Sequence, residues 1–241
     1  MSDLLSIEDL ATGYDGVRVV RGVNLEVGSG EVVALLGPNG AGKTTTLLAT
    51  SGFLPVLEGD IKLFGRSVKG RPAHRIARGG IAHVPEDRSL FRQLTVAENL
   101  RLGAAKGRAD IAQALRWFPA LEPLMSRKAG LLSGGEQQML AMARALTVSP
   151  RLLVVDEMSL GLAPIIVARL LPVLRTIADE TGGGILLIEQ HVEFALDIAD
   201  RAYVLSHGDL VLSGTASDLR EHRGRLETSY LGGSVVHEVD E

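Results

Sequence analysis

The sequence of 241 residues has room for one compact domain with an inserted or appended subdomain. Apolar residues make up 46% and charged residues 22%, which is ordinary for a globular chain and excludes disordered, collagen-like and coiled-coil proteins. The net charge of −4 argues against a general binder of nucleic acid or anionic lipid. Because cysteine is absent, disulfides, thiolate metal sites and cysteine nucleophiles are excluded, and a reducing compartment is favoured.

The sequence predicts a chain that stays in the cytoplasm. Its first residues lack the basic and apolar regions of a signal peptide. The apolar stretch over residues 158–168 contains Gly161 and Pro164 and is too short to span a bilayer. We therefore expect any role at a membrane to depend on a partner.

The first part of the chain predicts a β-layer followed by a buried strand. Residues 22–27 alternate between polar and apolar side chains, which indicates a half-buried strand, and residues 4–10 are expected to pair with it in antiparallel fashion. The apolar run 32–36 predicts a strand buried on both faces. It leads into a glycine-rich loop and then a helix over residues 44–51, an order typical of α/β proteins.

The last part of the chain predicts further strands of a parallel sheet. Residues 152–155 and 185–188 have the valine, isoleucine and leucine content of central parallel strands, and a helix over residues 164–180 separates them. Residues 203–205 and 210–212 flank a Ser-His-Gly-Asp turn and predict a terminal hairpin.

The segment between these parts predicts helices. Thr95 and Glu98 form a capping-box pattern that opens one helix, and residues 110–118 form a second candidate. A third helix is predicted over residues 136–149, where Pro150 ends it.

We therefore predict one α/β domain over residues 1–241, with a mainly parallel sheet and an N-terminal antiparallel β-layer. Residues 1–86 and 151–231 would form this core, and residues 87–150 an inserted helical subdomain. Residues 232–241 are expected to form a frayed tail.

Residues 37–44 fit the phosphate-loop pattern G-x-x-x-x-G-K-[ST], between a predicted strand and a predicted helix. Backbone N–H groups of such a loop surround a phosphate, and the helix dipole favours its negative charge. Lys43 would contribute charge to the β- and γ-phosphates, Thr44 a hydroxyl ligand to Mg²⁺, and Thr45 a hydroxyl to the α-phosphate. An ordinary glycine turn is the alternative. The candidate nucleotide-binding residues are Gly37, Pro38, Asn39, Gly40, Ala41, Gly42, Lys43, Thr44 and Thr45.

Two carboxylates follow the predicted strand over residues 152–155. Asp156 would lie at the carboxyl edge of the sheet and could hold Mg²⁺. Glu157 points differently because side chains alternate along a strand, and it could accept a proton from a water that attacks the γ-phosphate. Plain acidic caps of a loop are the alternative.

A second anion site is predicted at Ser133, Gly134 and Gly135, where a serine hydroxyl and two glycine N–H groups precede a long helix. A simple serine N-cap followed by flexible glycines is the alternative for these three residues.

The glycine-rich loop, the segment LSGGEQQ and the apolar strand ending in Asp-Glu follow one another within 121 residues. Together they resemble the ATP-binding subunits of ABC transporters over essentially the whole chain. The stretches VPEDRSLFRQLTVAENL, LSGGEQQML, DEMSLGLAP and SYLGG are similar to the ATP-binding subunits of bacterial branched-chain amino-acid importers. The resemblance implies a P-loop NTPase core of ABC type that uses ATP and Mg²⁺.

The resemblance assigns roles to further residues. Tyr14 would stack on adenine, with an exposed surface tyrosine as the alternative. Ser133, Gly134 and Gly135 would bind the γ-phosphate of ATP held by a second ATPase subunit, so that two chains close head-to-tail around two nucleotides. Glu86 stands where a glutamine is usual, and a carboxylate is a suitable ligand for Mg²⁺.

The family usually places a histidine that contacts the γ-phosphate after the strand over residues 185–188. Counting back from Ala199-Asp200-Arg201 places this switch at Gln190, one position before His191. Because a one-residue offset turns a side chain elsewhere, we predict Gln190 as the switch. His191 is the alternative, and it could also merely start the next helix.

The resemblance implies a motor subunit that hydrolyses ATP and drives an importer for branched-chain or other hydrophobic amino acids. Its partners would be transmembrane permease subunits, a second ATPase subunit that is identical or a paralogue, and indirectly a periplasmic binding protein, but not nucleic acid. The chain would lie on the inner face of the cell membrane, with Leu90 and Phe91 lining the groove for the permease. The alternatives are a non-transport ABC ATPase acting on nucleic acid or ribosomes and a nucleotide-sensing scaffold.

Overall fold

The computed structural model describes residues 3–103, 109–221 and 224, so the predicted tail over residues 232–241 lies outside the described residues. The strands are β1 (Leu5–Tyr14), β2 (Val17–Val27), β3 (Val32–Leu36), β4 (Val56–Leu63), β5 (Arg66–Ser67), β6 (Ile81–Val84), β7 (Leu152–Asp156), β8 (Gly184–Glu189), β9 (Arg201–Ser206) and β10 (Asp209–Thr215). The helices are α1 (Lys43–Thr50), α2 (Ala73–Ala77), α3 (Val96–Leu102), α4 (Ile111–Trp117), α5 (Gly134–Leu146), α6 (Pro164–Thr181), α7 (Val192–Leu196) and α8 (Ala216–Glu221).

The larger sheet has the strand order β10-β9-β3-β8-β7-β6. Strands β9, β3, β8, β7 and β6 run parallel, and β10 pairs with β9 in antiparallel fashion. Alternate residues of β3 enter two different cores: Ala34 belongs to the core that includes residues of α3, α5 and α6, whereas Leu35 belongs to the core that includes the N-terminal strands. Burial on both faces explains the unbroken apolar runs and confirms the predicted α/β class with a mainly parallel sheet.

The smaller sheet has the order β2-β1-β4-β5 and is antiparallel throughout, which confirms the predicted N-terminal β-layer. Leu5 of β1 pairs with Val27 of β2, as the alternation predicts. Both strands run farther than expected, up to the turn between Tyr14 and Val17. One apolar core fills the space between the two sheets and includes Leu47 of α1.

Helices α3, α4 and α5 form in the segment predicted to be helical. Thr95 and Glu98 form the expected reciprocal capping box of α3. Helix α5 differs from the prediction over residues 136–149, because it begins at Gly134 and ends at Leu146. Its early start follows from the N-cap at Ser133, and Ser149 takes a left-handed backbone conformation (φ 46°) that turns the chain toward β7.

Strands β4, β5 and β6 carry little sequence signal. The central part of β4 contains Gly59 in a left-handed conformation (φ 72°), which breaks the alternation of polar and apolar residues. Strand β6 has four residues, and one of them is the polar His83. Pairing with β7 in the larger sheet, rather than local propensity, makes this segment a strand.

None of the helices within residues 3–103 and 109–221 is long and apolar enough to cross a membrane.

Candidate active site

The candidate residues gather at one edge of the larger sheet. Strands β3, β8, β7 and β6 are parallel neighbours, so their carboxyl ends lie side by side. Gly37 follows β3, Asp156 ends β7 and Gln190 follows β8. Glu86 lies two residues beyond the end of β6. The sheet thus brings together residues that are up to 153 positions apart in the chain.

The glycine-rich loop lies so close to a backbone carbonyl and to a valine side chain that two of its positions have no space for a side chain. A Cβ on Gly37 would lie 2.4 Å from the carbonyl oxygen of Leu205, and one on Gly42 would lie 2.8 Å from Cγ2 of Val20. Gly42 also has a φ of 107°, which side-chain-bearing residues rarely adopt. Because the loop turns directly into α1, the first N–H groups of that helix face the loop without partners in the helix itself.

Lys43 turns its ammonium group back over the loop. Its Nζ donates to the carbonyl oxygens of Gly37 (2.8 Å) and Pro38 (3.1 Å). The same Nζ lies 3.2 Å from Oε1 of Glu157, and the lysine side chain is only 4% exposed. Lys43 of the loop and Glu157 after β7, to which the sequence assigns separate roles in catalysis, thus form a largely buried ion pair.

Asp156 is a buried carboxylate beside this ion pair. Its Oδ1 is buried and has no hydrogen-bond partner among the described residues. Burial and, to a lesser extent, the carboxylates of Glu157 and Glu86 raise the pKa of Asp156 to about 7, although Lys43 opposes this rise. A buried acceptor oxygen that has no hydrogen-bond donor and lies near other carboxylates is suited to bind a cation.

The residues present fit Mg²⁺ bound together with nucleotide. Within the described ranges, no three histidine, aspartate or glutamate side chains are grouped to hold a metal by themselves. Mg²⁺ commonly uses one or two carboxylates together with substrate phosphates and water, so Asp156 and the neighbouring Thr44 hydroxyl are a suitable protein share of its ligands. Thr44 is exposed at the start of α1, and Glu86 is exposed at the loop after β6.

The other predicted nucleotide contacts lie around the loop. Tyr14 is the last residue of β1 and is 46% exposed. Its strand pairs with β2, whose Val20 contacts the position of Gly42. Thr45 is buried in the first turn of α1.

Ser133, Gly134 and Gly135 form the start of α5. Ser133 is its N-cap, and a capping box joins it to Glu136: the Ser133 N–H donates to Oε2 of Glu136 (2.7 Å), and the Glu136 N–H donates to Oγ of Ser133 (3.4 Å). A Cβ on Gly135 would lie 2.9 Å from Cγ2 of Ile166, so the helix start packs closely against α6. Ser133 therefore acts as the serine N-cap that the sequence offered as one alternative. Ser133 is also exposed, so an anion could reach it, as the other alternative requires.

The two switch candidates lie between β8 and α7. Gln190 is partly buried directly after the strand. His191 is the N-cap of α7, is exposed, and its ring contacts the edge of Phe194 at 5.9 Å between centroids.

The loop that carries Glu86 is fastened to two helices. Arg144 of α5 donates to the carbonyl oxygens of Arg88 (3.2 Å) and Ser89 (2.8 Å), both of which have left-handed backbone conformations. The buried Asn99 of α3 accepts from the N–H of Phe91 and donates to its carbonyl oxygen. Phe91 is nevertheless 55% exposed, whereas Leu90, which was predicted to line the same groove, is partly buried against the core.

Sequence reasoning missed Glu189, the last residue of β8. This carboxylate is completely buried and accepts from the N–H (2.9 Å) and Oγ (2.7 Å) of Ser159. Burial raises the pKa of Glu189, and the two Ser159 donors oppose that rise. An acidic residue directly after the apolar run 185–188 is the one sequence signal of this contact.

Comparison with known families agrees with this arrangement. The sequence profile of the ABC transporter family matches residues 20–159, which include the loop, the Ser-Gly-Gly segment and both carboxylates after β7. The chain belongs to the ABC transporter family. Like the ATP-binding domains of that family, it is an ATPase.

Two curated relatives span almost the same length as this ABC ATPase. The high-affinity branched-chain amino acid transport ATP-binding protein BraG of Pseudomonas aeruginosa is 41% identical over 95% of this chain and its own entire length. The lipopolysaccharide export system ATP-binding protein LptB of Escherichia coli is 36% identical over 95% of this chain and 97% of its own. A solved ATP-binding subunit of an ABC transporter superimposes with a TM-score of 0.81 at 31% identity, covering 95% of this chain and 98% of its own.

The raised pKa of Asp156 predicts a specific pH dependence of stability. Because the folded ABC ATPase binds this proton more tightly than the unfolded chain, Asp156 lowers the free energy of unfolding as the pH rises from about 4 to about 7. Without nucleotide or Mg²⁺, Asp156→Asn should therefore be more stable than the wild type at pH 7.5, by on the order of 1–3 kcal/mol in urea unfolding. The difference should shrink toward pH 4.5.

Asp209→Asn is the matched control, because the hydrogen bond from Arg21 lowers the pKa of Asp209. Asp209→Asn should therefore become less stable relative to the wild type as the pH rises, whereas Asp156→Asn becomes more stable relative to it. Equal pH dependence in both variants would contradict the assignment to Asp156.

Proposed function

We propose that this ABC ATPase binds MgATP at the loop over residues 37–45 and hydrolyses it to drive a membrane transporter. The observation that carries the proposal is the buried pair of Lys43 and Glu157, with Asp156 next to it. Phosphoryl transfer to water needs a cation that binds phosphate, a carboxylate that binds a metal ion and a second carboxylate that accepts a proton.

Binding uses the loop and its surroundings. The loop N–H groups and Lys43 would hold the β- and γ-phosphates, Thr45 the α-phosphate, and Tyr14 the adenine ring. Thr44, Asp156 and Glu86 would hold Mg²⁺ together with phosphate oxygens. When bound, Mg²⁺ neutralises charge on the β- and γ-phosphates during transfer.

Hydrolysis uses Glu157 as the proton acceptor. Glu157 takes a proton from a water that attacks the γ-phosphorus, the bond to the β-phosphate oxygen breaks, and ADP and phosphate are released. The γ-phosphate oxygens compete with Glu157 for Lys43, because all of them are anionic acceptors for one ammonium group. The amide of Gln190 would orient the water or donate to the γ-phosphate.

A second ATPase subunit completes each site. Ser133, Gly134 and Gly135 of one subunit would bind the γ-phosphate held by the other, in a head-to-tail dimer of identical chains or of paralogues. Their position at the N-terminus of the 13-residue helix α5 supports this proposal, since such a terminus favours an anion.

The transporter proposed for this subunit is an importer of branched-chain or other hydrophobic amino acids. The support is the identity of 41% to BraG over the whole of that protein. Transmembrane permeases would hold the chain at the cytoplasmic face of the membrane, and a periplasmic binding protein would act indirectly. The identity of 36% to LptB favours lipopolysaccharide export as the second candidate.

The cargo is tested with the permeases reconstituted in proteoliposomes beside this chain. Binding protein loaded with leucine should stimulate ATP hydrolysis and be followed by leucine uptake. Stimulation by lipopolysaccharide and none by leucine would favour the second candidate.

Glu157→Gln tests the mechanism. The variant keeps the shape of the side chain but loses the proton acceptor, so ATP turnover should fall by about 10²–10⁴-fold while ATP still binds. Light scattering should then detect a dimer that accumulates with MgATP. Lys43→Ala is the companion variant, and it should weaken ATP binding itself because it removes the charge over the loop. A Glu157→Gln variant that hydrolyses ATP at the wild-type rate would contradict the assigned base.

Phe91→Asp tests the surface that faces the permease. The exposed ring of Phe91 lies on a loop that Arg144 and Asn99 fasten in place, so a charge there should disturb docking and leave the fold intact. We expect at least a tenfold loss of permease-stimulated turnover, on the order of 1.4 kcal/mol of docking energy. Val148→Asp, at another exposed apolar position, is the control. Equal losses in both variants would argue against this surface.

Gln190→Ala and His191→Ala distinguish the two switch candidates. Because the Gln190 amide does not titrate, its loss should lower turnover to a similar extent at all pH values between about 6 and 8. His191→Ala should have the smaller effect, since its ring packs against Phe194. A larger loss in His191→Ala, varying across this pH range, would assign the switch to the histidine.

A further inference from the structure

Glu189 is a buried carboxylate at a position where an apolar side chain would cost less desolvation free energy. It ends β8, a central strand of the larger sheet, and its exposed fraction is 0%. A buried carboxylate persists only where donors compensate the loss of water. Both of its oxygens receive such donors from a single residue, Ser159, whose N–H binds Oε1 and whose hydroxyl binds Oε2.

Ser159 lies in the turn that follows Glu157. In this turn the N–H of Leu160 donates to the carbonyl oxygen of Glu157 (3.1 Å), and that of Leu162 donates to the carbonyl oxygen of Ser159 (3.2 Å). The contact between Glu189 and Ser159 therefore ties the end of β8 to the turn that carries the proposed base.

The backbone of Glu157 needs such support. Its φ of 43° lies in the left-handed region, which is unfavourable for a glutamate and persists only where the surroundings fix it. The N–H of Glu157 donates to the carbonyl oxygen of Ile188 on β8 (2.9 Å). Residues 188 and 189 of β8 thus hold the turn at two points, one on each side of the Glu157 carbonyl.

We propose that Glu189 is a positioning residue for hydrolysis. Through Ser159 it fixes the strained turn so that the carboxylate of Glu157 stays beside Lys43, where the attacking water would lose its proton. The proposal rests on the proposed role of Glu157 as the base. Glu189 itself touches neither nucleotide nor water in this mechanism.

Steady-state ATP hydrolysis by the full chain tests the proposal in Ser159→Ala and Glu189→Ala. A misplaced base impairs the chemical step, and displacements of about 1 Å cost up to about 10²-fold, so kcat should fall by about 10–10²-fold. The KM for ATP should stay within about threefold, because the loop that holds the phosphates is not altered. The double variant should lose little more than Glu189→Ala alone, because Glu189→Ala already removes both hydrogen bonds, whereas Ser159→Ala removes only the one from the hydroxyl.

Glu189→Gln separates the contact from the charge. The glutamine oxygen can still accept from the Ser159 N–H, and its amide can donate to the serine hydroxyl. This variant should therefore keep most of the kcat that Glu189→Ala loses. Tyr203→Phe is the structural control, because it removes another buried group, a hydroxyl that accepts from the N–H of Glu26 and from Arg201. It should lower the melting temperature without changing kcat.

Several results would overturn the proposal. These are an unchanged kcat in soluble, folded Ser159→Ala, multiplicative losses in the double variant, or a loss in Glu189→Gln as large as in Glu189→Ala. If Glu189→Ala does not fold, Ser159→Ala alone decides between the two outcomes. Glu157→Gln is assayed in parallel: if it retains full turnover, the proposed function fails, whereas a loss confined to Glu157→Gln refutes only the positioning role.

Discussion

An excess of buried negative charge is the constraint on which this active site depends. Asp156 and Glu189 are buried, and Glu157, which is nearly so, lies beside the ammonium group of Lys43. The protein compensates each carboxylate differently: Glu157 by the ion pair, Glu189 by two donors from Ser159, and Asp156 by a pKa raised to about 7. Of these three carboxylates, Asp156 is thus the one whose charged form would be stabilised by a cation from outside the chain. A divalent cation bound to a polyphosphate has the positive charge that this needs.

The larger sheet brings this charge to one place. Strands β3, β8 and β7 are apolar on both faces, so they can only lie in the middle of the fold, and being parallel they end at the same edge. The polar residues directly after them are forced together at that edge. The same arrangement brings Lys43, in the loop after β3, close to the two carboxylates at the end of β7. No local sequence pattern predicts this contact.

The sequence predicts those features that local chemistry specifies. Patterns of a few residues predict the glycine-rich turn after β3, the buried strands β3, β7 and β8, and the capping box of α3. The structure confirms all of these elements. Strands β4 and β6 were not predicted, because a left-handed glycine and a polar residue break their patterns and tertiary pairing alone makes them strands. The contact of Glu189 with Ser159 joins positions 30 residues apart, and periodicity carries no information about such a contact.

The fastening of the Glu86 loop has a mechanical consequence. Arg144 and Asn99 bind the backbone of this loop, and Gln138 of α5 accepts a hydrogen bond from Arg88 within it (2.8 Å). Arg144 and Gln138 both belong to α5, whose first turn carries Ser133. Hydrogen bonds at Gln138 and Arg144 therefore hold the loop that carries Glu86 and Phe91 to the same helix as the Ser-Gly-Gly segment. A displacement of Phe91 is thus expected to move helix α5 and the Ser-Gly-Gly segment with it, because two side chains of that helix hold the loop.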